Sequence, residues 1–224
     1  MTIIDLTSLQ HNPPAVSGKH KLAKNGKVVI RRPEAITGIV IHQTAVWYGV
    51  TPAQIRNAGG DRTHARNLRG LNIACHAIAW ADGTSCLVNP LRWHVNHGNG
   101  FNANTLGLEI EGVYRGTDEQ SLRGDAQVFS PTALRAAKEA LRYLVAEGRR
   151  QGMRIDYVYA HRQASGTRRA DPGEEIWRKL VLEYAVPKLH LSTQPALVVP
   201  PSTSSVTRGR PVPLDWDPAG VGRY

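Results

Sequence analysis

Hydrophobic and polar positions alternate between two periods along this chain. ITGIVIHQTA at 36–45 holds a short apolar run rich in Ile and Val, which suits a buried strand. HAIAW (76–80) and SCLVN (85–89) flank an Ala-Asp-Gly turn at 81–83 and read as a hairpin. LGLEIEG (106–112) alternates, with Leu106, Leu108 and Ile110 on one face and Glu109 and Glu111 on the other. IDYVYAH (155–161) is a further strand that ends in a histidine. The helical period is clearest from Ser130-Pro131 to near Gly152, where Leu134, Ala137, Leu141, Leu144 and Val145 form one apolar stripe. EEIWRKLVLEY (174–184) predicts a final helix. Thr51-Pro52 reads as an N-cap followed by proline at the first helical position, opening a modest helix towards Arg66 that Gly59-Gly60 weakens.

Alternating strands and helices predict an α/β fold, a mixed central β-sheet flanked by helices, over residues 36–186. Residues 1–35 read as a basic arm that partly packs on this domain. Residues 187–224, with PSTSSVTRGRPVPLDWDPAGVGRY, read as a linker or tail by composition. No internal repeat of solenoid length is visible.

Composition narrows the classes. The chain has 224 residues and a formal net charge of +10, mostly from arginine. That charge favours polyanionic partners such as nucleic acid, anionic lipid or an acidic wall polymer, and it equally fits a solvated basic surface. No zinc-finger, RNA-binding or basic-zipper pattern supports specific nucleic-acid binding. No run approaches the length of a membrane span. Two cysteines, Cys75 and Cys86, make no disulfide framework. The start, MTIIDLTSLQHNPP, lacks the basic and apolar segments of a secretory signal, so synthesis in the cytoplasm is expected.

Candidate chemistry gathers at strand ends. His42 closes the 36–45 strand and His161 closes the 155–161 strand, and taken alone a histidine there reads first as a satisfied core residue. Asp171 follows a Gly-, Arg- and Ser-rich loop, and Asp-Pro-Gly-Glu-Glu is also a helix-start signature. Two imidazoles and a carboxylate with an open fourth position make a recurrent catalytic zinc set. Glu109 is either a general base in a partly desolvated site or an ordinary solvent-facing strand residue, as Glu111 is expected to be. Cys75 beside His76 invites a nucleophile reading, but neighbours on a strand face opposite ways, so Cys75 is expected in the core.

VIHQTA (40–45), CHAIAWADGT (75–84), RWHVNHG (92–98), NTLGLEIEG (104–112) and AHRQASGTRRADPG (160–173) occur in that order. Together they resemble the zinc-dependent N-acetylmuramoyl-L-alanine amidases of the type-2 amidase and peptidoglycan-recognition superfamily, over roughly residues 36–180. The resemblance implies a Zn2+ cofactor held by His42, His161 and Asp171, with Glu109 as the catalytic carboxylate. Relatives often place a lysine two residues before the metal aspartate to stabilise the oxyanion; this chain has Arg169 there, and Arg168 is the substitute if the loop is shifted. His76, His94 and Asn104 match positions that line the substrate groove in relatives, and His97 lies in the same loop. Trp93 would stack on sugar or bury, Asn102 would bind the muropeptide or shape a turn, and Thr44 would support His42. The resemblance implies a peptidoglycan or muropeptide substrate, cut at the amide between N-acetylmuramic acid and L-alanine. The expected setting is a phage-type endolysin reaching the wall after holin-type release. The alternatives are a cytoplasmic anhydro-muropeptide recycling amidase and a recognition module that binds without cutting.

Overall fold

A computed structural model describes residues 3–10, 18–115, 126–164, 168 and 170–193. Six strands form one mixed sheet in the order β1-β4-β3-β5-β2-β6. They are β1 (Ile4–Asp5), β2 (Gly38–Gln43), β3 (Ala77–Ala79), β4 (Ser85–Leu87), β5 (Thr105–Ile110) and β6 (Tyr157–Ala160). The β3/β4 hairpin is antiparallel and the other pairings are parallel. The α/β fold with a mixed sheet is therefore as the alternation of patterns predicted.

The sheet's two faces are covered differently. Ile39, Ile41, Leu106, Leu108, Ile110, Val158 and Ala160 face helix α3 (Pro131–Arg150) and form the main core. Ser130 caps α3 by accepting the Ala133 N–H, and Pro131 takes the first helical position, as the sequence indicates. The buried stripe also includes Ala133, Ala136, Ala140 and Gly148, whose small side chains let the helix lie close to the strands. On the opposite face, helix α2 (Arg62–Gly70) packs over Ile78 and Trp80. Further along that face, Val40 and Tyr159 lie under Phe101 and Ala164.

Two elements depart from the sequence reading. The helix expected from Thr51 to Arg66 is broken into α1 (Pro52–Asn57) and α2. Gly59 and Gly60 have φ of 70° and 87°, values that favour glycine, and Asp61 restarts the helix by accepting the N–H groups of Thr63 and His64. At the other end, the final helix does not stop near 184. It runs from Glu174–Ile176 through a π-helical stretch, Trp177–Ala185, to Val186–Leu189. Leu191 is then buried and Ser192 pairs beside β6. Among the described residues, no helix is long and apolar enough to cross a membrane.

Glu111 is a correction. It is 3% exposed rather than solvent-facing. The segment after β2 and the β3/β4 turn cover it, and its carboxylate accepts the N–H groups of Tyr48 at 2.9 Å and Ala81 at 3.0 Å. It thereby ties the segment following β2 to the β3/β4 turn. Replacing Glu111 by Ala leaves two buried donors unpaired, with an expected cost on the order of 3 kcal/mol. Urea unfolding checks this, and an unchanged midpoint would contradict it.

Candidate metal centre

Neighbouring strands carry the first two residues of the site. β2 and β5 run in register, so that His42 sits opposite Glu109 on adjacent strands, about 4.8 Å apart in the pairing direction. Both project from the face opposite α3, since their neighbours Ile41, Leu108 and Ile110 fill the α3 core. His161 follows directly from β6, which pairs with β2, in a short 3-10 turn, His161–Ala164.

Asp171 reaches the same point from the loop before the final helix. Its Oδ2 lies 2.7 Å from His161 Nδ1 and 3.7 Å from His42 Nδ1, and the two Nδ1 atoms are 3.0 Å apart. One ligand atom from each of His42, His161 and Asp171 lies within 4.8 Å of the others. Asp171 is not a helix cap: Gly173 stands at the N-cap, and Asp171 Oδ1 instead accepts the Gln43 N–H at 2.9 Å. Gln43 also holds this corner with its side chain, which accepts from the Tyr114 N–H and donates to the carbonyls of Tyr114 and Ala170. Sequence reading overlooked Gln43, whose only signal is its place beside His42.

These donors are poised for a cation. Burial, with His161 beside it, lowers the pKa of His42 to about 4, so its ring is neutral. Asp171 is held ionised against its burial by His161 and His42. Glu109 Oε2 is buried without a hydrogen-bond partner, and burial together with the Asp171 charge raises the carboxyl well above the usual range. His161 Nε2 is likewise buried and unpartnered. A buried carboxyl with an unpaired oxygen, beside a second carboxylate, is costly without a positive charge nearby. Arg168 supplies some: it is exposed, yet its charge pulls the Glu109 pKa down and opposes protonation of His42. Arg169 lies outside the described residues.

His76, Asn104 and His94 contribute no ligand atom to this cluster. His76 is fully buried, accepts the Gly107 N–H on Nδ1 at 2.9 Å, and has Nε2 near the Trp93 carbonyl and Arg31. It offers no surface to a ligand. Asn104 donates to the Ala35 carbonyl at the N-terminal end of β5, five residues from Glu109, or roughly 16 Å at strand spacing. His94 is half-buried beside the arm, with backbone bonds to Lys21 and Val29. The structure brings none of these three to the cluster. Asn102 shapes its turn by accepting the Gly98 N–H, and Trp93 is half-buried edge-on to His20. Thr44 closes a turn with Val46 and Gly112 rather than supporting His42. Cys75 and Cys86 are free and buried, with burial pushing both thiols up, to about 11 for Cys86. Cys75 thus sits in the core as expected.

The arm contributes more than basic surface. Arg31 is buried and donates to the carbonyls of Asn102, Thr105 and Leu91, which fastens the 93–104 loop against β5. Histidines here are held neutral. Burial lowers the pKa of His20 and, to about 4, that of His94, and it keeps His76 well below 6.5. The unfolded chain therefore takes up protons near pH 6.5 that the folded chain refuses. Stability is full above that pH and is expected to fall as pH drops from 6.5 towards 4. Urea midpoints at pH 7.5 and pH 5 check the sign; an equal or higher midpoint at pH 5 would contradict it.

A family profile of N-acetylmuramoyl-L-alanine amidases matches residues 32–174, which include every member of the cluster. The chain belongs to this amidase family. Among solved structures, similar ones include the endolysin N-acetylmuramoyl-L-alanine amidase LysCS from Clostridium intestinale URNW, at 19% identity and a TM-score of 0.46, covering 85% of this chain and 97% of that one. Drosophila PGRP-LB is similar at 21% identity and 0.45, covering 77% and 90%. Peptidoglycan recognition protein-LE, solved with tracheal cytotoxin, is similar at 19% and 0.48, covering 85% and 96%. A comparison with curated proteins returned no match. In this family member, the cluster lies at the C-terminal ends of β2 and β6 and near that of β5.

Proposed function

We propose that this amidase family member is a zinc hydrolase that cuts the amide between N-acetylmuramic acid and L-alanine. The observation that carries the reading is the convergence of His42 Nδ1, His161 Nδ1 and Asp171 Oδ2 beside Glu109, whose Oε2 is buried and unpartnered. Two imidazole nitrogens and one carboxylate oxygen are a donor set of catalytic zinc sites, which keep a position open. Bound there, zinc would polarise the scissile carbonyl and acidify water.

The chain's own groups do the rest. His42, His161 and Asp171 hold the ion, and the Gln43 N–H fixes the carboxylate of Asp171 so that Oδ2 points at the two rings. Glu109 takes the proton of the attacking water and passes it to the departing alanine nitrogen. A cation beside it brings its raised pKa down, which makes the carboxylate form available. Arg168, and Arg169 next to it, supply positive charge for the oxygen that becomes anionic.

The biological reading is a phage-type endolysin acting on the wall after holin-type release. Its support is the +10 charge, which draws the chain to an anionic wall polymer. Rates on intact sacculi and on soluble anhydro-muropeptides test it. Faster turnover on sacculi is expected, and a strong preference for the soluble fragment would favour the recycling role. Tight binding of sacculi with no cleavage by zinc-loaded protein would favour recognition without catalysis.

A further inference from the structure

His42 has a neighbour on its far side. Its Nε2 lies 3.2 Å from His97 Nδ1, and His97 Nε2 lies 3.3 Å from the Thr105 carbonyl oxygen. We propose that His97 is a positioning residue: it fixes His42 in the tautomer that carries hydrogen on Nε2, and it takes that choice from the Thr105 carbonyl. The proposal rests on His42 being a metal ligand, as argued above.

Donors and acceptors leave one assignment. A carbonyl oxygen has only lone pairs, so neutral His97 can satisfy it only with hydrogen on Nε2. Its Nδ1 is then an acceptor, and the atom facing it, His42 Nε2, must be the donor. Neutral His42 with hydrogen on Nε2 keeps its lone pair on Nδ1, the atom that faces His161 and Asp171. Reversing the chain would set His97 Nε2 and the Thr105 oxygen lone pair to lone pair in a buried place. It would also put a proton on His42 Nδ1, where a metal ion would bind. The Thr105 hydroxyl does not relieve this, because it donates to the Phe101 carbonyl at 2.8 Å and lies 3.5 Å from His97 Nε2.

Packing holds the His97 ring in this register. A Cβ at position 107 would come 2.7 Å from its Cγ and 2.8 Å from its Nδ1, so Gly107 makes the space the ring fills. The rings of His42 and His76 meet it edge-on, with interplanar angles of 87° and 79°. Arg31 donates to the same Thr105 carbonyl, which has a second lone pair for His97. Ligand histidines commonly depend on such a partner for orientation, and its loss typically costs about 10–100-fold in metal affinity.

Two measurements on the full chain test this. Imidazole 15N–1H correlation spectra of the metal-free wild type should find hydrogen on Nε2 of both His42 and His97. Chelator competition with zinc should give His97→Phe about 10–100-fold weaker affinity than wild type. His97→Asn, whose amide oxygen can accept near the Nδ1 position, should recover most of the loss. Hydrogen on His97 Nδ1, or a folded His97→Phe variant with wild-type zinc affinity, would overturn the proposal. Should His97→Phe not fold, the wild-type spectra decide alone. Failure of the wild type itself to bind zinc would instead overturn the metal reading, and the spectra would still judge the relay.

Discussion

Replacing Glu109 by Gln is expected to leave zinc binding and folding intact while lowering turnover by about 10²–10⁴-fold, the usual contribution of a positioned acid–base group. The amide has the shape of the carboxyl it replaces. Because burial and the Asp171 charge already disfavour ionised Glu109, a neutral group in its place strains nothing in the metal-free fold. The Oε2 atom has no hydrogen-bond partner to lose. What the variant lacks is the ability to accept a proton, so the loss should appear in kcat far more than in KM. Steady-state kinetics on a soluble muramoyl peptide, with zinc titration and thermal melting alongside, separate these effects. Unchanged turnover would remove Glu109 from the mechanism.

Asp171→Ala is expected to have the larger effect on the metal. The substitution takes away one of three donors, so zinc affinity should fall by more than the roughly 100-fold that follows loss of a supporting hydrogen-bond partner. Activity should fall with it at limiting zinc. The variant also strips the buried Gln43 N–H of its acceptor, at a cost of about 1–3 kcal/mol. Asp171→Asn distinguishes the two roles: its amide oxygen can still serve Gln43, so stability should largely return, but the weaker neutral donor should leave zinc affinity low. Chelator competition and urea unfolding on both variants read the two quantities. Wild-type zinc affinity in either variant would exclude Asp171 from the ligand set.

Much of this architecture was legible in the chain because one face of each element is strongly apolar. The alternation in 106–112 assigned Leu106, Leu108 and Ile110 to the core, and it put Glu109 on the face it occupies. It did not show that Glu111 is covered, since alternation assigns a face and says nothing of the loops that pack on it. Gly59-Gly60 weakened a helix in the sequence and breaks it in the fold.

The approach of His42, His161 and Asp171 was legible only through family motifs, because more than a hundred residues separate the first from the others. Spacing along the chain says nothing of the register of β2, β5 and β6, which is what brings them together. The motifs also drew attention to His76 and Asn104. Both turn out to serve neighbouring backbone: His76 the Gly107 N–H and Asn104 the Ala35 carbonyl. Residue type alone does not distinguish a polar side chain that braces a loop from one that meets a ligand. Arg31 illustrates the same limit, since a cation in a basic run reads as surface until its carbonyl partners are known.

Digestion of purified peptidoglycan by the full chain, read by mass spectrometry with and without chelator, tests the central claim most directly. The expected result is release of intact stem peptides bearing free L-alanine amines, abolished by chelator and restored by zinc. Cleavage that persists after zinc is stripped, or cuts at any bond other than the one joining muramic acid to L-alanine, would contradict the account.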